Sequence, residues 1–314
     1  MGIKIEAAAY SAIGNRPNNE DNFYLNGIYM SKEQMNAGGK VSAVNSDTLQ
    51  VYAVFDGMGG GEFGENASLC AATRLKEYQD TCEHPDNSDN LRSFLNDTSR
   101  EIDKIALANQ LRSGACGSTT AMLIIGDWWY RTAHVGDSRV YLLRDNELYR
   151  ITKDQSEVQR MVDMGKITLD EAWDHPRKNV ITHHLGMALK SGTLQSVISD
   201  RVPLQAGDCF LICSDGVSDG MRDAQIKPLL NVSGSASDRA ASIVQKSIRS
   251  TNSRRIASDN CTAIVVRVLE VAGTNDAKKR VDRLRLLHRL TAALAGAFFA
   301  GFAVSVVKLI QLLM

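Results

Sequence analysis

Six apolar runs of strand length, none longer than eight residues, limit the fold of this chain more than any other feature. They are VYAVF (51–55), TAMLII (120–125), WWYRTAHV (128–135), RVYLL (139–143), CFLIC (209–213) and CTAIVVRV (261–268). Runs this short, rich in Val, Ile and aromatic residues, read as strands. Asp145-Asn146 between RVYLL and ELYRI marks a hairpin turn. Helical patterns cover roughly 65–80, 90–112, 155–165, 221–230 and 237–250. The first follows a glycine cluster and carries Glu65 in its opening turn, which suits the helix dipole. Gly192, Gly207, Gly234 and the stretch Ser233–Asp238 read as loops. Strand-heavy runs with interspersed helices predict an α+β sandwich, because a parallel βαβ fold would alternate regularly.

Composition narrows the function. The 36 basic and 36 acidic residues give zero formal net charge, which argues against a nucleic-acid partner. None of the six cysteines forms a C-x-x-C pair, so zinc-knuckle and thioredoxin-like motifs are not supported. Cys209, Cys213 and Cys261 lie in apolar runs and read as small core residues, in keeping with a reducing compartment. The N-terminus MGIKIEAAAYSAIG has no long apolar core behind a basic start, and Glu6 breaks the myristoylation pattern.

The other end differs. Leu290–Val307 is 18 residues without a charge, about 27 Å as a helix and enough to cross a hydrocarbon core. Lys308 is placed to snorkel. Lys278, Lys279, Arg280, Arg283, Arg285 and Arg289 precede the run, which predicts that the large domain stays on the cytoplasmic side. Ala293, Ala297, Gly301 and Ser305 form a small-residue stripe that would let two spans pack as a weak homodimer. The expected organisation is a globular domain over 1–270, a basic juxtamembrane linker over 271–289 and a transmembrane helix over 290–314.

The chemistry lies in the aspartates. VYAVF runs into Asp56-Gly57, CFLIC into Ser214-Asp215-Gly216 and TAHV into Gly136-Asp137; Asp259-Asn260 precedes CTAIVVRV, and Glu20-Asp21 lies in an early polar loop. A single Asp-Gly is a plain turn. Several at the ends of rigid strands could hold carboxylates in one place, where they repel one another until a divalent cation removes the conflict. Oxygen-only ligands favour Mg²⁺ or Mn²⁺ over zinc. Glycine after the aspartate allows a tight turn and close approach.

The segments RPNNED (16–21), VFDGMGG (54–60), GSTT (117–120), HVGDSRVYLLR (134–144), HPRKNVITHHLG (175–186), CSDGVSD (213–219) and DNCTAIVV (259–266) occur in an order that resembles the metal-dependent Ser/Thr protein phosphatases of type 2C, in their bacterial form. The resemblance covers about residues 5–268. It implies a central antiparallel β-sandwich of two sheets flanked by helices. It also implies that Asp56 bridges two Mn²⁺ or Mg²⁺ ions with the Gly57 carbonyl as a further ligand. Asp215 and Asp259 would hold one ion, and Glu20 and Asp21 would act directly or through water. Arg16 matches the phosphate-binding arginine, whose planar guanidinium can grip two phosphoryl oxygens. Asp137 and Asp219, with Asp215, match a third, looser metal position.

The implied activity is hydrolysis of phosphoserine and phosphothreonine in proteins, by attack of a hydroxide bridging two ions and without a phosphoenzyme. Phosphorylated proteins and a cognate Ser/Thr kinase are the implied partners. Two departures stand out. Met58 occupies the position where eukaryotic relatives carry a histidine. The usual Asp-His-Ser after the hairpin reads Asp154-Gln155-Ser156, at the start of a region (about 152–190) that resembles the mobile flap beside the active site. His134, His183 and His184 match no motif position with a role and read as structural.

Competing chemistry fares poorly. Cys261 to Arg267 has the C-x5-R spacing of a cysteine phosphatase, but TAIVV between them is a strand sequence. Gly165-Lys166 lacks the rest of a P-loop. The alternative of another class is a catalytically silent, membrane-bound phosphoprotein-binding or scaffold module of the same fold. Loss of a core aspartate or of Arg16 would signal it, and neither is lost.

Overall fold

The structure, a computed structural model, describes residues 2–59, 63–188 and 192–271. The expected linker, membrane helix and small-residue stripe lie outside the described residues, apart from Val271. Among the described residues no helix is long and apolar enough to cross a membrane.

The strands in chain order are β1 (Lys4–Ala12), β2 (Asp21–Leu25), β3 (Ile28–Tyr29), β4 (Gly39–Asn45), β5 (Leu49–Met58), β6 (Gly117–Ser118), β7 (Thr120–Gly126), β8 (Trp129–Val135), β9 (Arg139–Arg144), β10 (Glu147–Arg150), β11 (Val197–Ile198), β12 (Val202–Pro203), β13 (Cys209–Cys213) and β14 (Cys261–Glu270). The helices are α1 (Lys32–Ala37), α2 (Phe63–Thr81), α3 (Ser88–Ala108), α4 (Glu157–Asp163), α5 (Leu169–Trp173), α6 (Asp215–Gly220), α7 (Asp223–Asn231) and α8 (Ala236–Ser253). One sheet runs β10-β9-β13-β14-β1-β4. The other runs β11-β8-β7-β5-β2-β3, with β12 on β8 and β6 on β5. Every ladder is antiparallel.

Alternation along the strands sorts the side chains into three apolar layers. Phe23, Tyr52, Val54, Leu123, Phe210, Ile264 and Val266 fill the space between the sheets. The opposite residues of β5 and β7, including Val51, Ala53, Phe55 and Ile124, pack against Ala67, Ala71 and Leu75 of α2 and Leu91 and Leu95 of α3. On the far side, Leu211, Ala263 and Val265 meet Ile226 of α7 and Ala240, Ile243 and Val244 of α8. Each large aliphatic side chain so buried contributes about 1.5–3 kcal/mol. The result is helix, sheet, sheet, helix: the α+β sandwich expected from the sequence.

Local chemistry sets the ends. Asp145 and Asn146 adopt φ of 51° and 60° between paired Arg144 and Glu147, the two-residue turn whose twist matches the flanking strands. Ser235 caps α8 by accepting from the Asp238 amide, with Asp238 returning the bond. Strand β1 escapes the sequence reading because KIEAAAYSA carries little β-propensity. Its Ala7, Ala8 and Ala9 are fully buried between β14 and β4, where α8 comes close on one face.

Candidate metal centre

The acidic residues come from both sheets. On β2 and β5, Asp21 lies directly opposite Asp56. Asp21 is fully buried; its Oδ2 accepts from Ser214 Oγ at 2.7 Å, and its Oδ1 has no hydrogen-bond partner. Asp56 and Gly57 lie inside β5, not beyond its end, and the Asp56 carbonyl accepts from Thr119 N at 2.8 Å. Asp215 opens α6, immediately after β13 and the N-cap Ser214. Asp259 lies in the loop before β14.

The glycines after these aspartates are needed for close approach and not for a turn. A Cβ on Gly57 would stand 2.2 Å from the Gly64 carbonyl oxygen and 2.5 Å from that of Glu20. One on Gly216 would stand 2.0 Å from the Asn260 carbonyl oxygen. Neither glycine has positive φ. The tight-turn expectation fails here because the backbone stays regular while neighbouring chain crosses it at contact distance.

Asn260, present in the sequence motif but given no role there, ties the β1–β2 loop to the loop before β14. Its Oδ1 accepts from Glu20 N at 2.8 Å, and its Nδ2 donates to the Ile13 and Asn18 carbonyls, each at 2.9 Å. Glu20 is thereby held near the start of α2: a Cβ on Gly64 would lie 2.7 Å from its Cδ.

The carboxylates share one electrostatic field. Burial first, then Asp215, Asp21, Asp137 and Asp259, pushes Asp56 well above the usual carboxylate range. Burial, then Asp137, Asp219, Asp259 and Asp21, does the same to Asp215. Burial pushes Asp21 up to about 7, against the pull of its hydroxyl hydrogen bonds. Burial and then Asp154 push Asp137 up to about 7. Among the described residues no cationic side chain pairs with Asp21, Asp56, Asp137 or Asp215.

Four acidic groups held against their own repulsion, one with an orphaned oxygen, suit hard divalent cations. Among the described residues no three His, Cys, Asp or Glu side chains close tightly enough on one point to hold a bare ion. Mg²⁺ keeps several waters in its shell and needs only one or two direct carboxylates.

Two cations reach the periphery. Arg16, half exposed, donates from Nη2 to Asp259 Oδ2 at 2.6 Å, which brings the expected phosphate-binding residue to the carboxylates. Lys178 Nζ pairs with Asp219 Oδ1 at 2.6 Å. A cavity of about 490 Å³ is lined by Asp137, Asp215 and Asp219 together with Trp173 and Lys178. Trp173 is held between the Arg222 and Arg254 guanidinium groups, 4.4 and 4.5 Å from its ring centre, and donates to the Ser218 carbonyl at 2.8 Å. The residues of the expected flap thus attach to α6, which carries Asp215 and Asp219. The histidines take structural partners: His134 Nε2 meets the Lys153 carbonyl at 2.9 Å, and His184 Nδ1 that of Leu185 at 2.9 Å. Cys261 is fully buried at the start of β14, so the C-x5-R spacing forms no loop.

A two-sheet antiparallel sandwich with a shared carboxylate field at one place, and an arginine beside it, defines a protein built to hold divalent ions near an anionic group. The model of the protein phosphatase 2C family matches residues 38–265. The chain belongs to that family. It is 33% identical over 241 residues to the serine/threonine protein phosphatase PstP of Mycobacterium tuberculosis, covering 74% of this chain but 44% of that protein. It therefore spans less than half the length of this relative. The S. agalactiae serine/threonine phosphatase superposes with a TM-score of 0.69 at 25% identity, over 85% of this chain and 100% of that one. The catalytic domain of PstP in complex with two manganese ions gives 0.66 at 28% identity, with the same coverage.

Proposed function

We propose that this chain is a metal-dependent protein phosphatase that hydrolyses phosphoserine and phosphothreonine and is tethered to a membrane by its C-terminus. The observation that carries the catalytic reading is the unneutralised carboxylate field of Asp21, Asp56, Asp137 and Asp215 with Arg16 next to it. Asp56 with the Gly57 carbonyl, Asp215 and Asp259 would hold two Mn²⁺ or Mg²⁺ ions, with Glu20 and Asp21 acting directly or through water. Bound ions supply Lewis acidity, which polarises phosphoryl oxygens and lowers the pKa of water.

The chain's own residues do the rest. Arg16 binds the phosphoryl oxygens through paired N–H donors and offsets charge that grows in the transition state. Its contact with Asp259 keeps the guanidinium at the carboxylates before substrate arrives. The β2–β5 pairing and the Asn260 bonds fix the acidic groups in advance, so little reorganisation is needed on reaction.

Phosphorylated proteins are the substrates that the names of the relatives support, and a cognate Ser/Thr kinase would be the enzyme that supplies them. The tether is supported by the uncharged run Leu290–Val307 and the six basic residues before it, which would leave the catalytic domain on the cytoplasmic face. Manganese-dependent turnover of p-nitrophenyl phosphate and of a phosphothreonine peptide by the full chain tests the activity. Metal binding without turnover of either would leave the silent-scaffold reading. Protease access in intact vesicles tests the orientation.

A further inference from the structure

Gln155 stands where the resemblance leads one to expect histidine, and each of its polar atoms is engaged. Its backbone N–H donates to the Gly136 carbonyl at 2.9 Å, and its side-chain Oε1 accepts from Gly136 N at 2.8 Å. Its Nε2 donates to the Gln195 carbonyl at 2.8 Å. Its own carbonyl accepts from Thr182 N at 2.7 Å and Thr182 Oγ1 at 2.9 Å. One residue therefore grips Gly136 through both its N–H and its C=O, and joins it to Thr182 and Gln195, near and just past the far end of the flap region.

Gly136 is the residue before Asp137. Its φ is +100°, and a Cβ there would come within 2.7 Å of Thr119 Cγ2. Glycine allows that bend but does not select it, since glycine has the widest choice of conformations. Bonds from outside the bend must select it, and the Gln155 amide supplies one of them directly. Thr119, packed against the same glycine, bonds Ser138 Oγ at 2.7 Å and donates its N–H to the Asp56 carbonyl at 2.8 Å. A shift at Gly136 would thus be felt at Asp137 first and at Asp56 next.

We propose that Gln155 is a positioning residue for Asp137: its amide fixes the Gly136 peptide and so aims the Asp137 carboxylate at a cation shared with Asp215 and Asp219. The inference rests on reading Asp137, Asp215 and Asp219 as an outer cation site. It also explains why glutamine serves here. A neutral imidazole carries one donor and one acceptor nitrogen, and a glutamine amide offers the same pair. A leucine of similar size offers neither.

The test is a Mn²⁺ titration of the full 314-residue chain, followed by electron paramagnetic resonance of free Mn²⁺ and by the Mn²⁺ dependence of kcat on p-nitrophenyl phosphate. Gln155→Leu is expected to weaken the loosest Mn²⁺ about fivefold, the factor that about 1 kcal/mol of lost hydrogen bonding gives. It should raise the Mn²⁺ needed for half-maximal kcat by the same factor and leave KM at saturating Mn²⁺ unchanged. Gln155→His is expected to restore both to within about twofold, since it can remake both bonds. Unchanged Mn²⁺ binding in Gln155→Leu, or no recovery in Gln155→His, overturns the proposal. Asp137→Asn separates the two levels. If it weakens the loosest ion and Gln155→Leu does not, the positioning role alone fails. If Asp137→Asn leaves the titration unchanged, the outer site fails and the positioning role with it.

Discussion

Stripped of divalent metal, this fold should lose stability as pH rises, opposite to the usual behaviour of paired carboxylates. Asp21 and Asp137 are pushed from the ordinary 3.8 up to about 7 in the folded chain, so between those values the folded state holds protons that the unfolded state has released. Unfolding then releases protons, and raising the pH drives it. Stability is fullest below about pH 3.8 as far as these two groups are concerned, and it drains away as pH rises through about 7.

The slope is at most about 1.4 kcal/mol per pH unit for each group and falls to half of that at about pH 7, so each gives up about 2 kcal/mol between about pH 5 and pH 7. Together the two groups give up a few kcal/mol, a large share of the roughly 5–15 kcal/mol that holds a domain together. Urea unfolding in excess chelator, followed by tryptophan fluorescence at several pH values across this window, measures the slope. Saturating Mn²⁺ should flatten or reverse it, because the ions bind the ionised carboxylates. A metal-free stability that is constant or rises over the window would refute the claim that these carboxylates are packed against their own charge.

Other substitutions probe the same field. Asp56→Asn removes a group that feels four other aspartates, so it should raise metal-free stability near neutral pH while lowering kcat more than about a hundredfold; chemical denaturation and turnover of a phosphopeptide read the two effects separately. Arg16→Lys keeps the charge but loses the paired donors, and kcat/KM should fall about 10- to 100-fold with little change in Mn²⁺ binding. Lys178→Ala removes the ammonium that pairs with Asp219 and should tighten the loosest Mn²⁺ about threefold by calorimetry, in keeping with a part-exposed ion pair.

Much was legible in the amino-acid order alone. Short β-branched runs gave the two-sheet class, because strand period and length leave few other ways to bury them. The Asp-Gly and Ser-Asp-Gly steps after those runs named Asp56 and Asp215 as residues on stiff elements, and the residue types limited the chemistry to hard cations. The apolar run Leu290–Val307 and its basic flank are also features of order alone, and the membrane span they predict lies outside the described residues.

Only the tertiary structure decided what lies together. Asp21 faces Asp56 because β2 pairs with β5 in one register out of several, and a one-residue slip would turn the opposite face to the sheet partner. Gly57 and Gly216 are glycines because foreign backbone passes 2.2 and 2.0 Å from where a Cβ would stand, a constraint invisible without the neighbour. Asn260 and Gln155 act through bonds to residues as far as 247 positions away in the chain, which no local pattern encodes. Local physics selects elements and side-chain chemistry. Which carboxylates repel one another, and which amide holds them there, follows from long-range packing.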